Sequence, residues 1–390
     1  LLDGIGPHTL DASHAEEAAL LRCSLYSGLM NNASGALVSR WRDMLTDRRA
    51  PYHVDEFESL VGVRDGEGRP KAAMRELAAF SRMVARLDLR QLTRPIERAA
   101  VMVPAERTAA EPTLPSLFAP RSCLQAFVSA KEAHLPITVT REHEPFDPFA
   151  MLIVPSVTDM AQETWERLAE WVHAGGSLVY SYGGGEFGSE ARRLFGVDFL
   201  GHGGARERAT CRVAQQGMVG ALEPFDTAAR VPHFALLGPG ASTVVATDAA
   251  GNPLVTLSRP GQGRAVCVAV PFERVLGQSG LMPPADEIAR FLRALYGAVG
   301  EVAGCGSKVA CDTPSVELAL LAGDGRDALL LLNHADVAVT ATLVFERTVA
   351  TVARVSGGDG VSVGELSLGV PLGAYGAAAL WVSYDGREGR

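Results

Sequence analysis

From Ala99 to Tyr182 the chain alternates between short runs that are apolar at nearly every position and longer stretches with one apolar stripe. Few folds accept that alternation. Ala99–Val103, Ile137–Thr140, Ala150–Pro155 and Ser177–Tyr182 read as strands, and Ala150–Pro155 as one buried on both faces. A strand with no polar alternate must be covered twice, as in a parallel sheet with helices on each side. The intervening stretches suit the covering helices. One is predicted over 116–133. A second carries Trp165, Leu168, Ala169 and Val172 on one stripe, with Asp159 and Gln162 as its expected cap and Gly175-Gly176 as its stop. From Arg206 to Val270 the pattern changes to short strands and turns. Val244–Ala246, Leu254–Thr256 and Ala265–Val268, with a Gly251-Asn252 turn, predict antiparallel hairpins, and a helix over 285–296 closes this part.

The remaining segments are of two kinds. Residues 305–385 hold Val316–Leu321, Ala328–Asn333, Val337–Phe345, Thr351–Val355, Glu365–Leu368 and Ala377–Val382, separated by Gly and Asp turns. Evenly spaced short strands predict a small antiparallel β-sandwich. The first ninety residues read strand (1–6), helix, strand, long loop, helix. Ser13 and Glu16 form a capping box, and Ala18, Leu21, Leu25 and Leu29 recur at helical spacing behind it. Ala36-Leu37-Val38 is expected as a short buried parallel strand, residues 40–69 as a polar loop, and Pro70 as the start of a helix lined by Met74, Leu77, Ala78, Ser81 and Val84. A lone strand needs neighbours to pair with, so further chain is expected before Leu1. The fold class is therefore α/β with a β-sandwich, divided as 1–95, 96–302 and 303–390.

Composition narrows the functions. At roughly 100–200 residues per domain, a chain of 390 residues suits that division. Its net charge of −9, without a basic run, argues against nucleic acid as a partner. No apolar stretch is long enough for a membrane span. The six cysteines (Cys23, Cys123, Cys211, Cys267, Cys305, Cys311) show no zinc spacing and suit a reducing compartment such as the cytoplasm, with Cys305 and Cys311 either paired or free. Gly183-Gly184-Gly185 lacks both a dinucleotide fingerprint and a phosphate-loop lysine, and reads as a tight turn. No cofactor or metal is expected.

Residues 1–89 resemble the end of the catalytic barrel in cellulase-like and mannosidase-like glycoside hydrolases and related beta-galactosidases. The likeness rests on several pieces in order: Leu1-Leu2-Asp3-Gly4-Ile5-Gly6; an Ala- and Leu-rich helix; Gly35-Ala36-Leu37-Val38-Ser39-Arg40-Trp41-Arg42-Asp43; Pro51-Tyr52-His53 with Phe57-Glu58 and Gly62-Val63; and Asp65-Gly66-Glu67-Gly68-Arg69-Pro70-Lys71. The Gly-Arg-Pro-Lys piece is the most specific. In beta-galactosidases of this type the barrel is followed by a trimerisation domain that resembles a glutamine amidotransferase, then by a small β domain. Residues 97–300 and 305–385 look like these two. The resemblance thus implies the tail of a (β/α)8 barrel, then a flavodoxin- or amidotransferase-like open α/β domain, then the sandwich, assembled as a homo-oligomer such as a trimer.

It also implies hydrolysis of β-linked sugars, with a carbohydrate as the partner. Such hydrolysis needs two carboxyl groups, about 5 Å apart in retaining enzymes. The family places its acid/base on the fourth barrel strand, upstream of this chain, and its nucleophile at the end of the seventh. Aligning Ile5-Gly6 puts Gly4 at the nucleophile's place. Asp3, one residue earlier, is the candidate catalytic residue, though it points to the opposite side of a strand unless a bulge re-aims it. The candidate substrate-binding residues are Arg40, Trp41, Asp43, His53 and Glu58, since loops at this end of a barrel build active sites. Trp41 either stacks on a sugar ring or packs on the rim. Asp43 and Glu58 either bind sugar hydroxyls or pair with Arg40, Arg42 or Arg64. The alternative to an enzyme is a carbohydrate-binding or scaffolding homologue without its nucleophile. An amidotransferase would carry a nucleophilic Cys near the end of the Ser177–Tyr182 strand, where this sequence has Tyr182.

Overall fold

The computed structural model describes residues 13–38, 41–43, 62–105, 118–158, 160–185, 187–217, 219, 221–238, 240–278 and 287–385. The strand expected over 1–6 lies outside these residues. Helices α1 (His14–Met30) and α2 (Ala72–Leu87) come first in the chain. Strand β1 (Ala99–Val103), helix α3 (Phe118–Glu132), β2 (Ile137–Arg141), β3 (Met151–Val157), α4 (Gln162–His173), β4 (Ser177–Tyr182) and α5 (Ser189–Phe195) follow. Next are β5 (Asp198–Gly203), β6 (Arg206–Val213), β7 (Phe225–Val231), β8 (Phe234–Gly238), β9 (Thr243–Thr247), β10 (Pro253–Ser258), β11 (Arg264–Val268), α6 (Phe272–Gln278) and α7 (Glu287–Val302). The last elements are β12 (Val309–Cys311), β13 (Val316–Leu321), β14 (Asp327–Asn333), β15 (Val339–Phe345), β16 (Val349–Ser356), β17 (Ser362–Val363), β18 (Ser367–Leu372) and β19 (Ala377–Tyr384). Contacts divide the chain into two compact units: Ile96–Ser307, and Leu1–Pro95 together with Lys308–Arg390.

In the Ile96–Ser307 unit, one sheet has the order β2-β1-β3-β4-β11-β10-β9-β6-β7. Pairing is parallel from β2 through β1, β3 and β4 to β11, and antiparallel from β11 through β10 and β9 to β6 and β7. Successive strand residues point to opposite faces. Ala99 and Val101 therefore join a core with α3, α6 and α7, while Ala100 and Met102 join a second core with α4 and α5. This double covering is why β3 and β4 are buried at every position. Strand order reverses beside β1, so the ends of β1 and β3 flank the place where open α/β sheets keep ligands.

The N-terminus of α4 receives a carboxylate from elsewhere in the chain. Asp159 lies outside the described residues, and the residue preceding α4 is Ala161, which has no capping side chain. The buried Glu142, from the turn after β2, accepts from the Ala161 amide (3.3 Å) and the Thr164 hydroxyl (2.7 Å). A carboxylate suits a helix N-terminus wherever in the chain it originates. Gln162 bonds along the helix to Glu166.

In the other unit, two sheets of order β12-β15-β18-β17 and β13-β14-β19-β16 face each other. Leu329, Leu331, Leu343, Val370 and Leu380 fill the space between them. The reverse face of the second sheet, at Leu330, Leu332 and Ala379, is covered by Tyr26, Leu29 and Met30 of α1 and Met83 and Leu87 of α2. Covered twice, β14 is buried throughout. Burying a Leu side chain contributes roughly 1.5–3 kcal/mol, so its leucines anchor the helix pair as well as the sandwich.

The capping box forms as predicted: the Glu16 amide reaches the Ser13 hydroxyl, and the Glu16 carboxylate accepts from the Ser13 amide. Residues 36–38 do not form the buried strand expected of them. They adopt no regular structure, and Leu37 is 64% exposed. Val38 packs against the small cluster of Leu21, Leu25, Val63 and Ala73, but among the described residues no strand lies beside 36–38 to complete a ladder. Pairing is found at Arg42, an isolated parallel bridge to Arg64. Cys305 and Cys311 are free thiols.

Candidate functional site

Two short pieces, Trp41–Asp43 and Gly62–Lys71, are tied together residue by residue. The Asp43 amide donates to the Arg64 carbonyl (2.9 Å), the Arg64 amide to the Trp41 carbonyl (3.1 Å), and the Lys71 amide to the Val63 carbonyl (3.1 Å). Asp43 Oδ1 accepts from the Gly62 amide (2.8 Å) and from Lys71 Nζ (2.9 Å). The Lys71 and Asp43 side chains are 6% and 3% exposed. Position 62 requires glycine, because an added Cβ would overlap the backbone of Arg42 and Asp43. The following turn is held by Asp65, whose Oδ1 accepts from the Glu67 (3.0 Å) and Arg69 (2.8 Å) amides. The Arg69 side chain bonded to it keeps the Asp65 carboxyl below the usual carboxylate range.

This frame carries Trp41, which is 61% exposed, with the Arg64 guanidinium 4.7 Å from its ring centroid. Arg64 Nη1 in turn donates to the Gly68 carbonyl (2.8 Å). The structure thus brings together two of the predicted site residues, Trp41 and Asp43. Trp41 offers an aromatic surface, whereas the Asp43 carboxylate is engaged by Gly62 and Lys71. Asp3, Arg40, His53 and Glu58 lie outside the described residues. The sequence reading missed Arg64 as the partner of the indole and Lys71 as the partner of Asp43. A buried lysine after a proline carries no local signal of its role.

The second region of interest lies at the ends of β3 and β4. Tyr182 is fully buried, and its hydroxyl bonds to the His202 ring. Gly183 passes so close to Val157 that a Cβ would overlap that backbone, and its carbonyl is bonded by His233 Nε2 (2.8 Å) and the Thr158 hydroxyl (3.2 Å). Burial, with Arg274 and His202 nearby, pushes the His233 pKa down. The glycine run is thus a pinned turn. Beneath it lies a polar cluster that sequence reasoning missed. Glu273, wholly buried, accepts from the hydroxyls of Ser156 (2.8 Å), Ser181 (2.6 Å) and Tyr296. Ser156 sits at φ 49°, a left-handed conformation that costs a non-glycine residue about 1 kcal/mol or more. Burial raises the Glu273 pKa, against the pull of its hydroxyl donors. A glutamate after Val270-Pro271-Phe272 was the available hint. The buried thiols of Cys123 and Cys211 are pushed up to about 12, and that of Cys267 further still. These thiols are not poised as nucleophiles. Among the described residues no His, Cys, Asp and Glu group is arranged to hold a metal ion, and no helix is long and apolar enough to cross a membrane.

A mixed sheet with an antiparallel extension in one unit, and a sandwich packed with two helices in the other, define the class: an α/β protein with an accessory β domain. Residues 104–296 match the beta-galactosidase trimerisation domain family. A 217-residue stretch is 26% identical to beta-galactosidase BglY of Alicyclobacillus acidocaldarius, covering 51% of this chain and 29% of that protein. A catalytic mutant of Gan42B, a GH42 beta-galactosidase from G. stearothermophilus, superposes with a TM-score of 0.65 at 18% identity, over 94% of this chain and 51% of that one. The beta-galactosidase from Bacillus circulans sp. alkalophilus gives 0.66 at 15% identity, over 94% and 52%. The chain spans about half the length of these solved structures. It resembles the C-terminal part of a beta-galactosidase-type glycoside hydrolase, with residues 104–296 similar to the trimerisation domain.

Proposed function

We propose that this chain is the C-terminal portion of a glycoside hydrolase acting on β-linked sugars. The observation that carries this reading is the trimerisation-domain match over 104–296, set within a fold that parallels beta-galactosidases over 94% of the chain. In this reading residues 1–95 close a (β/α)8 barrel, 96–302 form the amidotransferase-like domain, and 303–390 the β-sandwich. Trp41 stacks on the C–H face of a pyranose. Arg40, His53 and Glu58 line the same rim, and Asp43 orders it through Lys71. Asp3 is the carboxylate nearest the nucleophile's place. The α/β domain holds copies of the chain together, as the name of its family suggests. It keeps the amidotransferase-like fold without that chemistry, which the raised thiols and the buried Tyr182 support.

An aryl β-glycoside panel assayed on the full-length protein tests this reading. Turnover of an aryl β-galactoside is expected, and uniform inactivity with retained sugar binding would overturn it. One observation favours that second outcome: Gly4 stands where the resemblance calls for a glutamate. A carbohydrate-binding or scaffolding homologue is the reading it supports. Light scattering at micromolar concentration is expected to show more than one subunit, and a clean monomer would count against the assembly role.

A further inference from the structure

We propose that Arg64 is the positioning residue of the Trp41 sugar platform, and that the buried Lys71–Asp43 pair fixes the backbone on which both stand. This rests on the reading of Trp41 as a sugar-stacking surface. An exposed indole on a loop is free to change rotamer, and stacking is then opposed by the entropy of ordering it. Here one face of the ring already has a planar cation over it, 4.7 Å from the centroid. That cation is itself held, with its Nη1 donating to the Gly68 carbonyl at 2.8 Å. The two residues also share a backbone hydrogen bond, from the Arg64 amide to the Trp41 carbonyl at 3.1 Å. Moving one therefore moves the other.

The buried pair explains why this arrangement is fixed. Asp43 follows Trp41 by two residues, and its Oδ1 gathers the Gly62 amide and Lys71 Nζ, the latter from the far side of the Asp65–Gly68 turn. Both ends of the piece that carries Arg64 are thus fastened to the piece that carries Trp41. The consequence is a one-sided platform. Arg64 occupies one face of the indole, and a pyranose ring stacks on the opposite face, so the sugar is received in a single orientation with respect to the loop.

The test uses the whole chain and methyl β-D-galactopyranoside as the probe, with saturation-transfer NMR for binding and acrylamide quenching of the Trp41 emission for exposure. Trp41 is isolated by subtracting the Trp41→Phe protein. Arg64→Ala is expected to weaken binding about 3-fold. In the absence of sugar it should steepen the quenching of Trp41, with unchanged circular dichroism. Arg64→Lys, which keeps the charge but not the planar guanidinium, should fall between wild type and Arg64→Ala. Lys71→Met is expected to reproduce both changes if it folds. Arg64→Ala carries the test whether or not Lys71→Met does. Unchanged quenching and unchanged affinity in Arg64→Ala, beside a clear loss in Trp41→Ala, would overturn the positioning role and leave the platform standing. Binding that survives Trp41→Ala would overturn the platform and this role together.

Discussion

Replacing Glu273 separates two accounts of the polar cluster beneath the β3 and β4 ends. The carboxylate is the common acceptor for Ser156, Ser181 and Tyr296 and is wholly buried. In Glu273→Ala three buried hydroxyls lose their acceptor, at about 1 kcal/mol each. The cavity left behind adds roughly 1 kcal/mol, so a loss of about 4 kcal/mol is expected. Glu273→Gln keeps one carbonyl oxygen for Ser181 and Tyr296 but turns an amide toward Ser156, whose hydroxyl must then accept; about 1 kcal/mol is expected. The two variants also differ from wild type in pH response. Burial raises the Glu273 pKa in the fold. The stability it contributes is therefore complete below the ordinary carboxyl range and declines as pH climbs through the unfolded value toward the folded one. Glu273→Gln lacks that slope. Urea unfolding in a Trp41→Phe, Trp381→Phe background leaves Trp165 and Trp171 to report on the α/β unit. If Glu273→Ala lay within 1 kcal/mol of wild type, or Glu273→Gln were as damaging as Glu273→Ala, the cluster would not act as a buried acceptor hub.

Asp248 behaves in the opposite sense. Although burial pushes its pKa up, hydrogen bonds from Asn252 and Arg206 bring it below the usual range, so its stabilisation is present above that range and lost as pH falls through the folded value. Asp248→Asn should therefore show a smaller stability loss in acid titrations monitored by circular dichroism. Gly183→Ala should destabilise the α/β unit by about 1–3 kcal/mol in urea melts, because the added methyl meets the Val157 backbone. Trp41→Ala should change stability by less than about 0.5 kcal/mol, since the ring is 61% exposed, and calorimetry would show a larger loss if the indole were structural.

The central parallel strands of the α/β sheet were readable because each is a run whose burial follows from its own composition. Ala99–Val103 and Ser177–Tyr182 occur with the bounds expected of them. The α1 capping box was readable because its two partners are three residues apart. Local rules are silent where the partner comes from afar. Glu142 caps α4 from the turn after β2, and nothing near Ala161 announces it. Residues 36–38 look like a buried strand by composition, but an apolar tripeptide is buried only if a neighbouring strand receives it. For the site, the sequence nominated Trp41 and Asp43 by type and position. It left open whether Asp43 would face a sugar or an arginine, and the structure gives it a lysine.

The sequence by itself determined the parallel strands of the α/β sheet and the capped start of α1, because composition and capping act over a few residues. Only the tertiary structure decided that α1 and α2 cover β14, that Lys71 and Arg64 serve the Trp41 loop, and that Glu273 gathers three hydroxyls. Those outcomes depend on groups far apart in the chain meeting where water is excluded, and there an ionic or polar group must find a partner that no local pattern specifies.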